Sequence, residues 1–494
     1  MAKHPLPTHV FSSQEIRQAE LDLVRLESIS LFSLVERAAA SAFDLLFSQG
    51  LPATPVVVAG SGNNGSDALV LARMLADKGA SCRVLRQDSQ KYTDENEQAF
   101  ELLMAAGVPV ESLNRDSLHC ALTGADLLID GLLGTGVKGA PREDVSAIIE
   151  MINSAQVSVL SLDLPSGLNA NTGRVHGVAV IADLTICFGA LKQGLFTSDA
   201  RDHCGDICFG DIGLQAVLPV SRCRMLQGAF LQQVFRPRRQ NSHKGSYGKV
   251  CIVGGVQGMS GAVRLAGEAC LRAGAGLVKL VSHWSHASTI NLARPELMVH
   301  GCELVDMETY QVLGWPDVLV MGPGLGVDDW GFNLFKAALM SDKPMLLDAD
   351  ALNLLAKQPE QRRNWILTPH PAEAARLLNC SVAEVENDRF AAVDALQNRY
   401  GGVVVLKGSG TLISDGNEVV VAPVGNPGLA SGGCGDVLSG IIGALLAQGF
   451  APMTAAVAGV ILHGDAADLA AAHGIRGMLA SDLMSGIRQL VNPL

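Results

Sequence analysis

Pro55-Val56-Val57-Val58-Ala59-Gly60-Ser61-Gly62-Asn63-Asn64-Gly65-Ser66-Asp67 reads as a short strand running straight into a glycine turn. An apolar run bounded by turn residues fits a strand buried on both faces. A helix pattern follows over residues 68–78, and the next strand over residues 82–85. Strand, polar turn and helix repeated in this order imply a parallel sheet with helices on both faces. Residues 127–129 and 157–162 read as further strands, each ending in a polar, glycine-containing turn. Upstream, residues 12–26 and 31–47 carry amphipathic helix patterns, and Ser12 or Ser13 with Glu15 offers N-cap chemistry.

The pattern then restarts. Residues 249–253 read as a strand, Gly254-Gly255 through Gly261 as a glycine turn, residues 263–273 as a helix and 277–282 as a strand. Later strands fall at residues 318–321, 344–347, 365–367 and 403–406, and Asp415-Gly416 joins residues 411–414 to 419–422 as a hairpin. Two complete α/β sequences meet around residues 222–245. The expected domains are therefore residues 1–225 and 226–494, a number that suits a 494-residue chain.

Composition excludes several classes. Charged residues are 17 % and hydrophobic ones 48 %, which is too apolar for a disordered polyelectrolyte. The net charge of −12 argues against nucleic-acid partners, which need clustered Lys and Arg. The basic cluster Arg236-Pro237-Arg238-Arg239, followed by His243-Lys244, reads either as a solvated segment between domains or as the edge of an anionic-ligand site. Residues 437–462 hold no Asp, Glu, Lys or Arg and are long enough to span a bilayer. Gln448-Gly449-Phe450-Ala451-Pro452 interrupts them, so two buried core helices are expected and no membrane. Met1-Ala2-Lys3-His4-Pro5 leads into no signal-type apolar run, so the 11 cysteines are expected as reduced thiols in a cytoplasm. Cys204 and Cys208 lack a second ligand pair for zinc.

The chemistry-bearing residues sit at strand ends. Gly60-Ser61-Gly62-Asn63-Asn64-Gly65 fits G-x-G-x-x-G, where glycine lets backbone approach phosphate and a helix N-terminus attracts anions. The acid expected about 20 residues on is not obvious, Asp88 being late, which disfavours an ordinary dinucleotide dehydrogenase. Asp130-Gly131-Leu132-Leu133-Gly134-Thr135-Gly136, Asp163-Leu164-Pro165-Ser166-Gly167 and Gly189-Ala190-Leu191-Lys192 end three further strands. Such loops converge at the carboxyl edge of an open sheet, and Asp163 with Lys192 makes a proton-handling pair. In the second half, Gly425-Asn426-Pro427-Gly428-Leu429-Ala430-Ser431-Gly432-Gly433-Cys434-Gly435-Asp436 opens the charge-free helix. Its N–H groups can form an anion hole for a transferring phosphoryl group, and Asp436 can accept a proton from a substrate hydroxyl. No G-x-x-x-x-G-K-[ST] occurs, so this is not a P-loop.

The motifs of the first half, with Leu34-Val35-Glu36-Arg37-Ala38, resemble the NAD(P)H-hydrate epimerase domain. The resemblance implies a Rossmann-like α/β/α sandwich that binds hydrated NADH and NADPH. It implies substrate contacts from Asn63, Asn64, Gly65, Ser66, Asp67, Gly134, Thr135, Gly136, Val137, Lys138, Gly139, Ala140 and Asp163. It also implies a potassium ion near Asn64, Asp130 and Ser166. The family pattern often has Gly at the position of Ser66. In the second half, Gly322-Pro323-Gly324-Leu325-Gly326, Asp348-Ala349-Asp350, Thr368-Pro369-His370-Pro371-Ala372-Glu373 and Lys407-Gly408-Ser409-Gly410-Thr411 join the glycine loop. This set resembles the ribokinase-like superfamily and, within it, the ADP-dependent NAD(P)H-hydrate dehydratase. The resemblance implies that Lys407, Gly408, Ser409, Gly410, Thr411 and the segment Asn426 to Gly435 contact ADP, with Mg2+ accompanying the nucleotide. Gly261, Gly324, His370, Pro371, Ala372, Glu373, Ala374, Ala375, Arg376 and Asp436 would face the hydrate. Cys434 stands where Thr is most often seen.

The fold expected is thus two α/β domains, Rossmann-like and then ribokinase-like. The function expected is repair of hydrated nicotinamide cofactors, with Asp163, Lys192 and Asp436 catalytic. Hydroxide is a poor leaving group, and phosphorylating the C6 hydroxyl of the hydrated ring makes its elimination easy. A fused epimerase would rescue the epimer the dehydratase does not accept. A vitamin kinase, such as a hydroxymethylpyrimidine or thiazole kinase, would have no need of the first domain. A nucleotide-sensing scaffold would have no need of Asp436, Lys407, Asp163 and Lys192. Related domains self-associate, so a homo-oligomer is expected.

Overall fold

A computed structural model describes residues 6–136 and 139–492 of the chain. It divides into two compact units, Met1–Arg224 and Met225–Leu494. The first is built on a sheet ordered Val110–Ser112, Arg83–Arg86, Pro55–Ala59, Leu127–Gly131, Ser158–Leu162, Leu184–Phe188 and Asp206–Gly210. All of its neighbouring pairs are parallel. Helices Ser13–Glu27, Leu31–Gln49, Asn63–Asp77 and Asp94–Ala105 bury their apolar stripes on one face, around Leu23, Leu69, Leu71 and Leu103. Helices Arg115–Leu122 and Glu143–Ser154 cover the other, around Leu118 and Ile149. Ser12 caps the first helix and, with Glu15, forms the full capping box.

The helix expected over residues 68–78 begins earlier, at Asn63. Gly65 makes this possible: a Cβ there would lie 2.0 Å from the Gly60 carbonyl oxygen, so the first turn folds directly onto the preceding loop. A Cβ on Gly60 would in turn lie 1.8 Å from the Leu132 oxygen. The strands at Asp206–Gly210 and Val110–Ser112 extend the sheet at either edge.

The second unit orders its parallel strands Met298–Cys302, Leu277–His283, Lys249–Val253, Val318–Met321, Met345–Leu347, Trp365–Leu367 and Val403–Leu406. The hairpin Thr411–Ser414 and Val419–Ala422 follows, antiparallel. Helices Ser260–Arg272, Cys434–Ala447, Pro452–Ala470 and Leu483–Leu490 pack on one face. The charge-free stretch accordingly falls on Cys434–Ala447 and Pro452–Ala470, separated at Gly449 (φ +89°) and restarted by Pro452. Pro452–Ala470 belongs to a stretch long and apolar enough to cross a membrane, but its window is 67 % buried inside this unit. Beyond Asp436, helix Cys434–Ala447 carries no charge because it is an inner layer. In the basic cluster, Arg238 stacks its guanidinium 3.6 Å from the Tyr247 ring centre and donates to the Gly274 carbonyl.

Two helices of this layer touch backbone to backbone at Gly440, where a Cβ would meet the Ala266 carbonyl oxygen at 2.0 Å. Backbone cannot yield as a side-chain tip can. Gly440→Val is expected to destabilise the second unit by about 3 kcal/mol or more. The check is thermal unfolding by circular dichroism, and an unchanged midpoint would contradict this packing.

Candidate functional sites at the two sheet edges

In the first unit the loops after four parallel strands meet at the carboxyl edge, where open α/β sheets bind ligands. Gly62 is the N-cap of helix Asn63–Asp77 and gives no side-chain cap bond. The first-turn amides, which have no intrahelical acceptor, therefore face the edge with the positive end of the helix dipole. Asn63 is exposed at the mouth, while Asn64, Gly65, Ser66 and Asp67 are buried. Ser66 is fully buried and turns its Oγ back to the Gly62 carbonyl (3.3 Å), closing the turn. Of the loop from Gly134 to Ala140, Thr135, Gly136, Gly139 and Ala140 are exposed; Val137 and Lys138 lie outside the described residues. A cavity of about 470 Å³ lined by Gln87, Asn114, Arg115, Leu132 and Glu143 opens at the same edge.

Asp163 stands in the left-handed region (φ +66°), held by its own N–H to the Ile186 carbonyl at 2.7 Å. Its Oδ1 accepts from the Phe188 N–H (3.2 Å) and from the Lys192 ammonium. Lys192 is 2 % exposed and also donates to the Phe188 carbonyl at 3.0 Å. Burial works against its charge, but Asp163, Cys187 and Glu20 outweigh burial and hold its pKa above the usual lysine range. Asp67 has the opposite balance. Burial pushes its carboxyl well above the usual range, Asp163 and Glu20 push further, and Lys192 only partly opposes them. Burial also raises Glu20, with Lys192 in opposition. The edge therefore holds a buried ion pair beside a carboxyl biased to keep its proton, an arrangement that can both accept and donate protons.

Asp130, fully buried, accepts from Ser161 Oγ (2.8 Å), the Ser166 N–H (2.9 Å) and Ser166 Oγ (2.5 Å). Burial raises its pKa, and the hydrogen bonds from Ser166 and Ser161 oppose that rise. Asn64 Nδ2 donates to the Leu133 carbonyl at 2.8 Å, and Leu133 N–H donates to Ser166 Oγ at 2.8 Å. This leaves Asn64 Oδ1 buried with no hydrogen-bond partner. An orphaned carbonyl oxygen within a cluster of oxygen donors fits a monovalent cation. Among the described residues no group of three or more His, Cys, Asp or Glu side chains is arranged to hold a metal.

In the second unit Lys407 follows strand Val403–Leu406 and binds Asp348 Oδ1 at 2.7 Å, with Glu373 Oε2 at 3.9 Å. Ser439 Oγ donates to the other Asp348 oxygen at 2.7 Å. Burial opposes the charge of Lys407, yet Asp348 and Glu373 hold its pKa up. Asp436 is pushed up to about 7 by burial and by Asp348, against the pull of Lys407. The glycine loop covers this cluster: a Cβ on Gly435 would lie 3.4 Å from Lys407 Nζ. Gly433, at φ +92°, turns the loop into helix Cys434–Ala447. Asn426 is tied to Asp468 by its Nδ2 (2.8 Å) and caps Gly428 with its Oδ1 (3.0 Å). Gly261 and Gly432 border open space, since a Cβ on either would meet nothing within 4 Å among the described residues. Glu373 and His370 form the capping box of helix Pro371–Leu378, and Arg376 binds Asn353 Oδ1 at 2.8 Å. Ala374 and Ala375 are buried and turn their side chains inward. A groove of about 810 Å³ lined by Gln361, Arg362, Gly402 and Met453 lies by the amino ends of strands Trp365–Leu367 and Val403–Leu406, away from this chemistry.

Glu20 and Ser439 join these sites without having stood among the candidates, and Asp348 stood in a strand-end motif without a role assigned to it. Glu20 lies one turn after Ile16 on the buried stripe of its helix, and a carboxylate on an apolar stripe is the signal that marks it.

A family model described as NAD(P)H-hydrate dehydratase matches residues 250–489, and one described as the YjeF-related protein N-terminus matches residues 32–194. The chain is 44 % identical over 501 residues to the bifunctional NAD(P)H-hydrate repair enzyme Nnr of Escherichia coli K12, covering 100 % of this chain and 96 % of that protein. It is 43 % identical to the enzyme of the same name from Coxiella burnetii, covering 98 % of this chain and 100 % of the relative. A solved ribokinase-like superfamily protein from Enterococcus faecalis V583 is 28 % identical with a TM-score of 0.50, covering 56 % of this chain and 97 % of its own.

The raised carboxyl of Asp436 has a consequence for stability. The folded chain binds this proton more tightly than the unfolded chain does. Its stabilising contribution is complete below the ordinary aspartate range and is lost as pH rises through about 7. Asp436→Asn cannot ionise. It should match the wild type near pH 4 and exceed it above pH 8 by up to about 4 kcal/mol, less to the extent that water reaches the group. Denaturant unfolding at the two pH values checks this, and a pH-independent difference would refute it.

Proposed function

The chain belongs to the family of bifunctional NAD(P)H-hydrate repair enzymes, and on that basis we propose that its two units act in turn on hydrated NADH and NADPH. The first unit interconverts the R and S epimers at C6. The second dehydrates the S epimer to NAD(P)H, turning ADP into AMP and phosphate. The observation that carries this reading is that each unit has its own buried lysine–carboxylate centre at the carboxyl edge of its own sheet.

In the dehydratase unit the glycine loop from Asn426 to Gly435 and the strand end from Lys407 to Thr411 receive ADP, and the loop amides hold the transferring phosphoryl group. Asp436 takes the proton of the C6 hydroxyl as its oxygen is phosphorylated. Loss of that phosphate, with a proton from the neighbouring carbon, restores the ring double bond. A carboxylate whose pKa lies near 7 suits this work, since it both ionises in the working range and binds a proton readily. Gly261, Gly324, His370 and the residues up to Arg376 form the hydrate side of the site. Mg2+ enters with the nucleotide. Asp348 and Glu373 are engaged with Lys407.

In the epimerase unit Asp163 and Lys192 serve the bond broken and remade at C6. Asn63, Asn64, Gly65 and Asp67, with the loop from Gly134 to Ala140, line the substrate. Asn64, Asp130 and Ser166 would hold a potassium ion, whose positive charge would steady the loop that follows Asp130 and offset substrate phosphate. We place the protein in the cytoplasm as a homo-oligomer, in keeping with a substrate formed from soluble cofactors.

Purified protein with Mg2+ and ADP should restore the near-ultraviolet absorbance of NADH from its hydrate, and Asp436→Asn should slow this by roughly 10²–10⁴-fold. ADP and ATP are run in parallel; a wild type that leaves the hydrate untouched with either nucleotide overturns the dehydratase reading. Asp163→Ala should still dehydrate the S epimer at the wild-type rate but stop conversion of the R epimer. Equal loss of both activities would overturn the division of labour.

A further inference from the structure

Behind the first glycine loop lies a buried polar network to which the reaction assigns no part. Asn96, on helix Asp94–Ala105, is fully buried. Its Oδ1 accepts from Arg86 Nε (3.2 Å) and Nη2 (2.7 Å). Arg86 is 8 % exposed and is itself held between two rings, 3.7 Å from the centre of Tyr92 and 4.1 Å from that of Phe100. A guanidinium has no acceptor, so it can meet only the oxygen of the Asn96 amide. The amide's orientation is thereby fixed, and Nδ2 faces the loop. There it donates to the carbonyls of Gly60 (3.0 Å) and Gly62 (3.1 Å). Thr93, the N-cap of the same helix, donates its N–H to the carbonyl between them, that of Ser61, at 3.2 Å.

Three consecutive carbonyls are therefore held on the side away from the mouth. In a planar trans peptide the C=O and the following N–H point in opposite directions. Turning back the oxygens of Gly60, Ser61 and Gly62 commits the N–H groups of Ser61, Gly62 and Asn63 to the mouth, where Gly62 and Asn63 are exposed. Glycine backbone left to itself samples many orientations. The network removes that freedom before a ligand arrives, and a run of N–H groups so arranged is a nest for an anion.

We propose that Asn96, locked by Arg86, is a positioning residue of the epimerase site: it presets the N–H groups of Ser61, Gly62 and Asn63 to receive the diphosphate of the hydrated dinucleotide. It touches neither substrate nor reacting atoms. This rests on the epimerase reading above, and it predicts an effect on binding of substrate rather than on the chemistry at C6.

The test uses the full chain without ADP, so that dehydration is silent, and follows conversion of R-NADHX to the S epimer by chromatography. Asn96→Asp keeps size and shape but puts an acceptor where Nδ2 stood, opposite two carbonyl oxygens. KM should rise roughly tenfold or more while kcat stays within about threefold, because a lost hydrogen bond of this kind is worth a factor of that order. Arg86→Lys keeps the charge but cannot make the two-point contact, and it should move KM the same way by a smaller factor. In both variants dehydration of S-NADHX with ADP, carried by the other unit, should be unchanged. A folded Asn96→Asp with KM within twofold of wild type overturns the proposal, as does a fall in kcat at unchanged KM. If Asn96→Asp fails to fold, Arg86→Lys decides on the same readouts. A wild type that does not interconvert the epimers refutes the epimerase reading instead, which is a different outcome from a wild type that does and a variant that matches it.

Discussion

Close passage of backbone over backbone at the carboxyl edges is the constraint on which both sites depend. In the first unit Gly60 passes the Leu132 carbonyl and Gly65 passes Gly60, each at a separation where a Cβ would lie within 2.0 Å of oxygen. In the second, a Cβ on Gly254 would lie 2.0 Å from the Pro323 oxygen, and one on Gly322, at φ +127°, 1.8 Å from that of Asp348. These contacts hold neighbouring loops in register with one another. The excess of glycine, 53 residues in 494, is explained in part by such crossings. Loops locked in this way lose conformational entropy once, on folding, and do not lose it again when a ligand binds.

Each edge then adds the same electrostatic device. One lysine faces more carboxylates than it can neutralise: Asp163, Asp67 and Glu20 around Lys192, and Asp348, Glu373 and Asp436 around Lys407. Desolvation penalises every charge in such a cluster, so a carboxylate set back from the lysine is biased to keep its proton. Asp163 and Asp348 are the contact partners. Asp67 and Asp436 are the neighbours with raised affinity for a proton. The contact partner is held by its ion pair and the neighbour is not. It matches the burial in the second unit, where Asp348 is buried beneath Lys407 and Asp436 is only half-buried at the loop.

Much of this was legible in the amino-acid sequence, since strand-and-glycine punctuation is a local signal. The strands Lys249–Val253, Val318–Met321 and Trp365–Leu367 and the hairpin at Asp415-Gly416 stand where hydropathy and turn chemistry put them. The two helices of the charge-free stretch are likewise core helices. What escaped is what depends on distance in space. The start of helix Asn63–Asp77 is decided by Gly65 against Gly60, a contact within a motif that reads equally well as loop. Glu20 reaches the Lys192 centre from a helix far upstream, and Ser439 reaches Asp348 from a helix far downstream. Asn96 looks like any polar residue in the first turn of a helix rich in Asp and Glu, and only its complete burial sets it apart.

The two glycine loops differ in what backs them, and the difference suits the tasks proposed for them. The loop at Gly60 is backed by Arg86 through Asn96, a permanent positive charge behind a rigid nest. That suits a site that must hold an unreacting diphosphate. The loop at Gly433 is backed by His463, buried against the Cys434 backbone, whose pKa burial lowers to about 4. It is therefore neutral at working pH. The positive charge that does stand near that loop is Lys407, on the side of the carboxylates. A phosphoryl group in transit gains charge on one oxygen as it loses it on another, and a fixed cation beneath the loop would favour whichever state placed more charge there. On the proposed reading, a neutral floor with a cation to one side would leave the loop amides to follow the transition state while Lys407 would hold the nucleotide, a balance that suits a transfer site and that a binding site does not need.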